Sequence, residues 1–174
     1  ARNLTMPSLN RVIGAGAPIA GPVERMMSAV MASDGEVAAN YGATEAMPST
    51  ELGSREHLGG LWNLTEQGAG VCVGYALPGV ELKIVDIVDG PIESIEETSQ
   101  LPTGQVGEIL VRGKHVSPEY YLDPESTRKN KVPDPQGDWH RFGDVGYLDA
   151  QDRLWVCGRV SQRVKAQGGN VFPL

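Results

Sequence analysis

The chain has 174 residues, of which 40% are hydrophobic and 21% are charged. This length allows one domain or slightly more with a buried core, and the composition is typical of a soluble globular protein. Lys and Arg total 15 against 22 Asp and Glu, a net charge of -7, which excludes a broad nucleic-acid-binding surface. No apolar run could cross a bilayer and residues 1–5 do not resemble a signal peptide, so we predict a cytoplasmic protein with no transmembrane segment.

Cysteine and histidine spacing gives no indication of a metal site. Cys72 and Cys157 lie far apart in apolar, strand-like runs, which favours buried free thiols over a disulfide. His57, His115 and His140 share no spacing typical of metal ligation or of a catalytic dyad, and we assign them no role. The chain lacks an initiator Met and stops within a strand-like pattern, so we expect an excised fragment.

The first predicted elements are a strand at 9–13, a helix and a short buried strand at 36–39. The strand leaves its sheet through residues 14–18 (GAGAP), where small side chains leave room for a flat ligand. The helix has an apolar stripe that we expect to pack in the core. Its members are Val23, Met26, Met27, Val30 and Met31. Strand, helix and strand form a βαβ unit, so both following loops emerge at the same sheet edge.

The turn predicted at 40–46 combines groups that suit a nucleotide. Tyr41 can stack on a base, and Gly42 lets the backbone approach a ligand closely. Thr44 can hydrogen-bond a phosphate oxygen, and Glu45 can bind Mg²⁺ through its carboxylate. The alternative interpretation is a strand followed by an ordinary helix with Thr44 as its cap.

The pattern changes from helical to strand-like in the second half. Residues 48–70 are irregular and polar, which predicts a loop with a single helical turn. Asp123 and Pro124 begin a short helix. The predicted strands are 71–74, 80–84, 107–113, 147–148, 153–157 and 162–165. Several short strands broken by Gly and Asp favour a small β-barrel or a strongly bent sheet.

Two polar positions in this half suit a ribose and a phosphate. Asp144 follows a glycine between two strand-like runs and can accept hydrogen bonds from two vicinal hydroxyls, although a turn-former is the ordinary alternative. Arg159 offers a planar set of donors suited to phosphate. The alternation of Arg159 with Arg163 and Lys165 is equally typical of a solvated strand face.

Taken in chain order, these motifs resemble the adenylate-forming superfamily of acyl-CoA synthetases, peptide-synthetase adenylation domains and luciferases. The motifs are 14–18 (GAGAP), 41–45 (YGATE), 107–108 (GE), Gly113, 139–144 (WHRFGD) and 158–168 (GRVSQRVKAQG). The resemblance covers essentially the whole chain. Residues 70–74 (GVCVG) and 154–159 (LWVCGR) further resemble bacterial fatty-acid ligases, including β-lactone synthetases of olefin biosynthesis.

The resemblance implies ATP or AMP and Mg²⁺ as cofactors, with a role for each motif residue. The implied nucleotide-binding residues are Gly16, Ala17, Pro18, Tyr41, Gly42, Asp144 and Arg159. The first three would line the adenine pocket, Tyr41 would stack on the base, Asp144 would hold both ribose hydroxyls and Arg159 would reach the ribose or phosphate. Thr44 and Glu45 are the implied catalytic residues: Thr44 would contact the phosphate, and Glu45 would bind Mg²⁺.

The implied reaction activates a carboxylic acid, with fatty acids as the expected substrates. The carboxylate attacks the α-phosphate of ATP, pyrophosphate leaves, and the acyl-adenylate then passes its acyl group to coenzyme A. In the β-lactone synthetases the acceptor is the substrate's own hydroxyl, which is the alternative for this chain. A non-catalytic nucleotide- or protein-binding module is the alternative from another class.

The implied fold is α/β or α+β, the C-terminal part of a large adenylate-forming domain. Its divisions would be 1–60 as the βαβ end, 61–160 as a distorted antiparallel β-barrel, and 161–174 as the hinge and start of a lid. The family's upstream phosphate loop and lid lysine are not present; Lys165 belongs to the hinge, and Ser161 stands where a charged residue is usual. We therefore expect this chain alone to bind nucleotide weakly and not to turn over.

Overall fold

A mixed sheet organises the protein in the computed structural model, which describes residues 4–166 and 169–173. The strands are β1 (Arg11–Ala15), β2 (Glu36–Ala43), β3 (Ala46–Gly53), β4 (Val71–Ala76), β5 (Val80–Val85), β6 (Gly107–Gly113), β7 (Lys131–Val132), β8 (Trp139–Leu148) and β9 (Leu154–Arg159). Their order across the sheet is β1-β2-β3-β4-β9-β8-β6-β5, and β7 also pairs with β8. A separate hairpin joins β10 (Val164–Ala166) to β11 (Gly169–Val171).

The helices are short and lie between strands. They are α1 (Gly21–Ser28), α2 (Ser54–Glu56), a π-helical turn (His57–Leu61), α3 (Trp62–Glu66), α4 (Pro124–Asn130) and 3₁₀ turns at Ile95–Glu97 and Val160–Gln162. Within the described ranges, none of them is both long and apolar enough to cross a bilayer.

The predicted βαβ unit is confirmed. Strands β1 and β2 pair in parallel, with Arg11 opposite Glu36 and Ala15 opposite Asn40, and α1 makes the connection. Because the strands are parallel, the loop after β1 and the end of β2 lie at the same edge of the sheet.

The core packing expected for the apolar stripe of α1 holds for only part of the stripe. Met31 is buried and Met27 and Val30 are half-buried, but Val23 is 43% and Met26 73% exposed. On the helix itself, Gly21 and Glu24 face inward. The missing side chain of Gly21 lets the Trp62 ring lie against the helix, and Glu24 bonds to the His57 ring at 2.8 Å. These two contacts fix the rotation of the helix and leave Met26 outside.

The hairpin between β2 and β3 replaces the predicted turn and most of the predicted loop. Residues 40–43 belong to β2, and Thr44 and Glu45 form the turn, so the interpretation of Thr44 as a helix cap is wrong. The segment 48–70 contains most of β3 and three helical turns, not a loop with a single turn. Its polarity hides the strand because Ser49 and Thr50 are buried and donate hydrogen bonds to the carbonyls of Ala46 and Val73.

The second half follows most of the predicted strand pattern but does not close into a barrel. Strand β8 begins at Trp139 and not at 147, so Asp144 lies within a strand instead of between two strand-like runs. Among the described residues, β1 and β5 are the two edges of an open sheet, which corrects the expected β-barrel. Register shifts at Cys72/Gly74, Glu108/Leu110 and Val145/Gly146 bend the sheet instead. Residues 160–162 form a 3₁₀ turn where we predicted the start of a strand, and positions 167, 168 and 174 of the predicted hinge and lid lie outside the described residues.

Two smaller expectations agree with the structure. Helix α4 begins as predicted, with the Asp123 carboxylate accepting a hydrogen bond from the Ser126 amide at 2.9 Å. Both cysteines are free thiols; Cys72 is buried and Cys157 is half-buried. The division of the chain at 60 and 160 stays a prediction.

The close approach of β3 and β4 requires a glycine at position 74. We expect Gly74→Ala to lower the free energy of unfolding by about 3 kcal/mol or more, because its Cβ would lie 2.0 Å from the Glu51 carbonyl oxygen. Gly79→Ala is the matched control, since Gly79 has nearly the same φ (+81° against +83°) but a Cβ added there would meet no atom within 4 Å. The control should cost about 1 kcal/mol. Urea unfolding of both variants measures the difference, and equal losses would contradict the prediction.

Candidate functional site

A cavity of ≈ 280 Å³ opens at the sheet edge where β1 and β2 end. Seven predicted site residues line it together: Gly16, Ala17, Pro18, Tyr41, Gly42, Asp144 and Arg159. The first three come from the loop after β1, the next two from the end of β2, and the last two from β8 and β9. The position agrees with the rule that α/β sheets bind ligands beyond the carboxyl ends of parallel strands.

Asp144 is the centre of the polar contacts in this cavity. Its Oδ2 accepts a hydrogen bond from the Tyr41 hydroxyl at 2.8 Å, and its Oδ1 lies 3.1 Å from Nε of Arg159. The pairing of β8 with β9 places Asp144 directly opposite Arg159. Burial raises the pKa of the Asp144 carboxyl, and the contacts with Tyr41 and Arg159 oppose that rise. Burial and the Asp144 charge raise the pKa of Tyr41 well above its ordinary value, so Tyr41 remains a donor.

Packing holds the Tyr41 ring in place. Phe142 meets it edge-on, with 5.4 Å between ring centroids. A Cβ at Gly42 would lie 2.4 Å from the Ala46 carbonyl oxygen, so glycine is needed there by the hairpin itself. Gly42 was predicted for close approach of a ligand, and the structure adds this second reason for its presence.

Thr44 and Glu45 are not brought into the cavity. Thr44 is exposed at the tip of the hairpin. Glu45 is half-buried, and its Oε1 accepts a hydrogen bond from the Tyr120 hydroxyl at 2.8 Å. Partial burial acts to raise the pKa of Glu45, but the Tyr120 hydrogen bond and nearby positive charge outweigh it and lower that pKa.

The Glu45 carboxylate fits a hard cation, because it is ionised and offers oxygen ligands. Among the described residues, no group of three or more His, Cys, Asp or Glu side chains could hold a metal ion. A cation bound at Glu45 would therefore take its other ligands from water or from the phosphates of a nucleotide.

The order and placement of these groups agree with a sequence match. The chain matches the family model of AMP-binding enzymes over residues 1–121. The chain belongs to this family. The resemblance inferred from the motifs is thereby confirmed.

Curated relatives of this chain are ligases and synthetases. It is 37% identical over 172 residues to the olefin beta-lactone synthetase of Stenotrophomonas maltophilia, and the match spans 96% of this chain and 31% of that protein. It is 31% identical over 168 residues to 4-coumarate–CoA ligase 1 of Petroselinum crispum, spanning 97% of this chain and 28% of that protein. The chain thus corresponds to less than a third of the length of these relatives.

Solved structures of similar fold belong to the same kinds of protein. The amide bond synthetase McbA from Marinactinospora thermotolerans superimposes with a TM-score of 0.70 at 30% identity, covering 95% of this chain and 29% of that one. ATP-bound MatB from Rhodopseudomonas palustris gives a TM-score of 0.64 at 28% identity, covering 92% and 27%. The predicted fold class is therefore confirmed.

Several residues near this cavity were missed by sequence reasoning. His57 lines the cavity and is 2% exposed; its Nδ1 lies 2.8 Å from Glu24, and its Nε2 has no partner among the described residues. His140 packs on Phe142, and burial and the neighbouring Lys131 lower its pKa to about 4, so it is neutral at pH 7. The motif at 139–144 marks His140 as a neighbour of the site, but nothing in the sequence indicates its contacts.

A second cavity of ≈ 610 Å³ adjoins the first at Arg159. Lys129, Arg163 and Lys165 line it. Arg163 donates to the Asp89 carboxylate at 2.7 Å, and Lys165 lies 3.8 Å from the same side chain. Sequence analysis left open whether Arg163 and Lys165 belong to a phosphate site or to a solvated face. In the structure they form ion pairs beside the first cavity.

The contact between Tyr41 and Asp144 gives a prediction for acid titration. We expect Tyr41→Phe to raise the pKa of Asp144 further, because the hydroxyl hydrogen bond favours the ionised carboxylate that the variant leaves buried. Tyr75→Phe is the control, since Tyr75 bonds instead to Glu56 and should leave Asp144 unchanged. NMR titration of the Asp144 carboxyl measures both variants. An unchanged or lowered pKa in Tyr41→Phe would show that the hydroxyl does not stabilise this charge.

Proposed function

We propose that this chain supplies the adenosine-binding part of an ATP-dependent, AMP-forming ligase that activates a carboxylic acid in the cytoplasm. The observation that carries the proposal is the cavity in which Tyr41, Asp144 and Arg159 meet the small-residue loop 16–18. Family membership and the names of the relatives point the same way. The free thiols are in line with a reducing compartment.

Adenosine would be recognised by shape, stacking and one carboxylate. The Tyr41 ring would stack on the base, and residues 16–18 would cover it without side-chain bulk. Oδ2 of Asp144 accepts one hydrogen bond and Oδ1 forms an ion pair with Arg159. Because each carboxylate oxygen can accept two hydrogen bonds, both ribose hydroxyls could donate to Asp144. Arg159 is 59% exposed and free to turn toward the phosphate side.

Adenylation requires positioning of the reactants and neutralisation of the phosphate charge more than covalent catalysis by the protein. A substrate carboxylate oxygen forms a bond to the α-phosphorus as the bond to the bridging oxygen of pyrophosphate breaks. The Thr44 hydroxyl would donate to a phosphate oxygen, and Glu45 would hold Mg²⁺. Bound Mg²⁺ would supply positive charge against the phosphates in addition to that of Arg159.

The substrate and the acceptor define two candidate functions. The first is transfer of a fatty-acyl group to coenzyme A, supported by the similarity to 4-coumarate–CoA ligase. The second is β-lactone formation from a β-hydroxy fatty acid, in which the substrate hydroxyl is the acceptor. The higher identity to olefin beta-lactone synthetase, 37% against 31%, favours the second.

Pyrophosphate release tests the proposal on the complete protein that contains this chain. With Mg-ATP and a panel of fatty and β-hydroxy fatty acids, we expect carboxylate-dependent release that Glu45→Ala reduces about 100-fold or more in kcat/KM. Glu66→Ala, an exposed glutamate away from the cavity, should retain the full rate. Dependence of the final product on coenzyme A separates the thioester ligase from the β-lactone synthetase.

A failure to release pyrophosphate with any acid of the panel would overturn the proposal for these substrates. It would favour the interpretation as a non-catalytic nucleotide- or protein-binding module. Equal activity of Glu45→Ala and wild type would keep adenylation but remove Glu45 from it.

A further inference from the structure

The loop between β6 and α4 contacts the tip of the β2–β3 hairpin and donates two hydrogen bonds to Glu45. The Ser117 amide donates to the Glu45 carbonyl oxygen at 2.8 Å. The Tyr120 hydroxyl donates to Glu45 Oε1, also at 2.8 Å. Backbone and carboxylate of the same residue are therefore fixed by one loop, whose Tyr120 is 75 residues further along the chain.

Tyr120 is itself held firmly. Its amide donates to the Thr127 hydroxyl in α4 at 2.9 Å. Lys131 Nζ lies 5.8 Å from the centre of its ring and donates to the Ser117 carbonyl oxygen at 2.5 Å. Burial and the Glu45 hydrogen bond raise the pKa of Tyr120 to about 12, so the phenol stays protonated at neutral pH.

A row of aromatic rings connects Tyr120 with Tyr41, which lines the cavity at the end of β2. The ring centroids of Tyr120 and His140 are 6.4 Å apart, those of His140 and Phe142 are 5.2 Å apart, and those of Phe142 and Tyr41 are 5.4 Å apart. The residue proposed to stack on adenine and the residue that holds Glu45 thus belong to one packed row. Such packing fixes the spacing between the two ends of a bound nucleotide.

We propose that Tyr120 is a positioning residue that orients the Glu45 carboxylate toward a divalent cation on the nucleotide phosphates. The inference rests on the function proposed above. Oε1 of Glu45 accepts the hydrogen bond from the Tyr120 hydroxyl. The other donor to the carboxylate is the backbone amide of Glu45 itself, which is also neutral. A carboxylate fixed by neutral donors keeps its negative charge and does not need to be ordered when the cation binds.

The first test compares Tyr120→Phe with Tyr121→Phe in the complete protein. Tyr121 is adjacent in sequence and 89% exposed, so it controls for loss of a phenol in the same loop. With pyrophosphate release as the readout, Tyr120→Phe should raise the Mg²⁺ concentration for half-maximal rate about tenfold, as expected for a lost hydrogen bond to a charged group. Tyr121→Phe should match the wild type.

A double variant tests whether Tyr120 changes the Mg²⁺ dependence through Glu45. If Tyr120 acts through Glu45, Tyr120→Phe should cause no further change in Mg²⁺ dependence when combined with Glu45→Gln. The same tenfold change in that background would overturn the proposal, and so would a Tyr120→Phe enzyme with wild-type Mg²⁺ dependence.

NMR titration of the Glu45 carboxyl in this chain gives a readout that does not depend on turnover. Tyr120→Phe should raise the pKa of Glu45, and Tyr121→Phe should not. Equal values in all three proteins would overturn the proposal. Absence of carboxylate-dependent pyrophosphate release in the wild type would instead overturn the proposed function, and the titration alone would then decide whether Tyr120 holds Glu45.

Discussion

The site depends on a buried ion pair that locks β6 to β8. Arg141 donates through Nε and Nη2 to the two oxygens of Glu108 at 2.9 and 2.8 Å, and both residues are almost fully buried. Removing two such charges from water costs several kcal/mol unless every donor is satisfied, and Arg141 also donates to the carbonyls of Val88, Gly90 and Lys129. The pair lies where the register of β6 and β8 shifts, three positions before Asp144. The ion pair therefore holds β8 against β6, and β8 in turn carries Asp144 opposite Arg159 of β9.

Strand order explains how distant parts of the sequence form one cavity. Strand β4 pairs with β3 on one side and with β9 on the other, so the second half of the chain extends the sheet begun by the βαβ unit. The hydrogen bond from Tyr41 to Asp144 therefore joins residues 103 positions apart. Contacts of this separation form only after the intervening strands have paired, because the loop entropy must first be offset. The cavity is consequently a product of the whole sheet and not of one local motif.

The sequence predicted which residues line the cavity better than it predicted the packing around it. Tyr41, Asp144 and Arg159 suit a base, a ribose and a phosphate, but each has an ordinary alternative, and only the order of the motifs and their resemblance to a known family singled them out. The rotation of α1 could not be predicted, because it is set by a tertiary contact. The Trp62 ring lies on Gly21, which leaves Met26 exposed. Likewise β3 looked like a loop because its buried hydroxyls find partners only in the folded sheet. A local sequence pattern reflects only the residues that are adjacent in the chain. These features depend on contacts with residues that are distant in sequence.

Tyrosine hydroxyls hold Asp144 in the cavity and Glu45 outside it, and the choice of a neutral donor has a physical consequence. Tyr41 bonds to Asp144 and Tyr120 bonds to Glu45, and the pKa of each phenol is raised, so neither gives up its proton near neutral pH. A lysine or arginine in place of Tyr120 would also fix Glu45, but its charge would repel a divalent cation and cancel the charge that binds it. Lys131, whose Nζ lies 5.8 Å from the centre of the Tyr120 ring, donates to the Ser117 carbonyl oxygen instead. In the proposed function, a hydroxyl would thus fix the direction of the Glu45 carboxylate without neutralising the charge that a metal ion would bind.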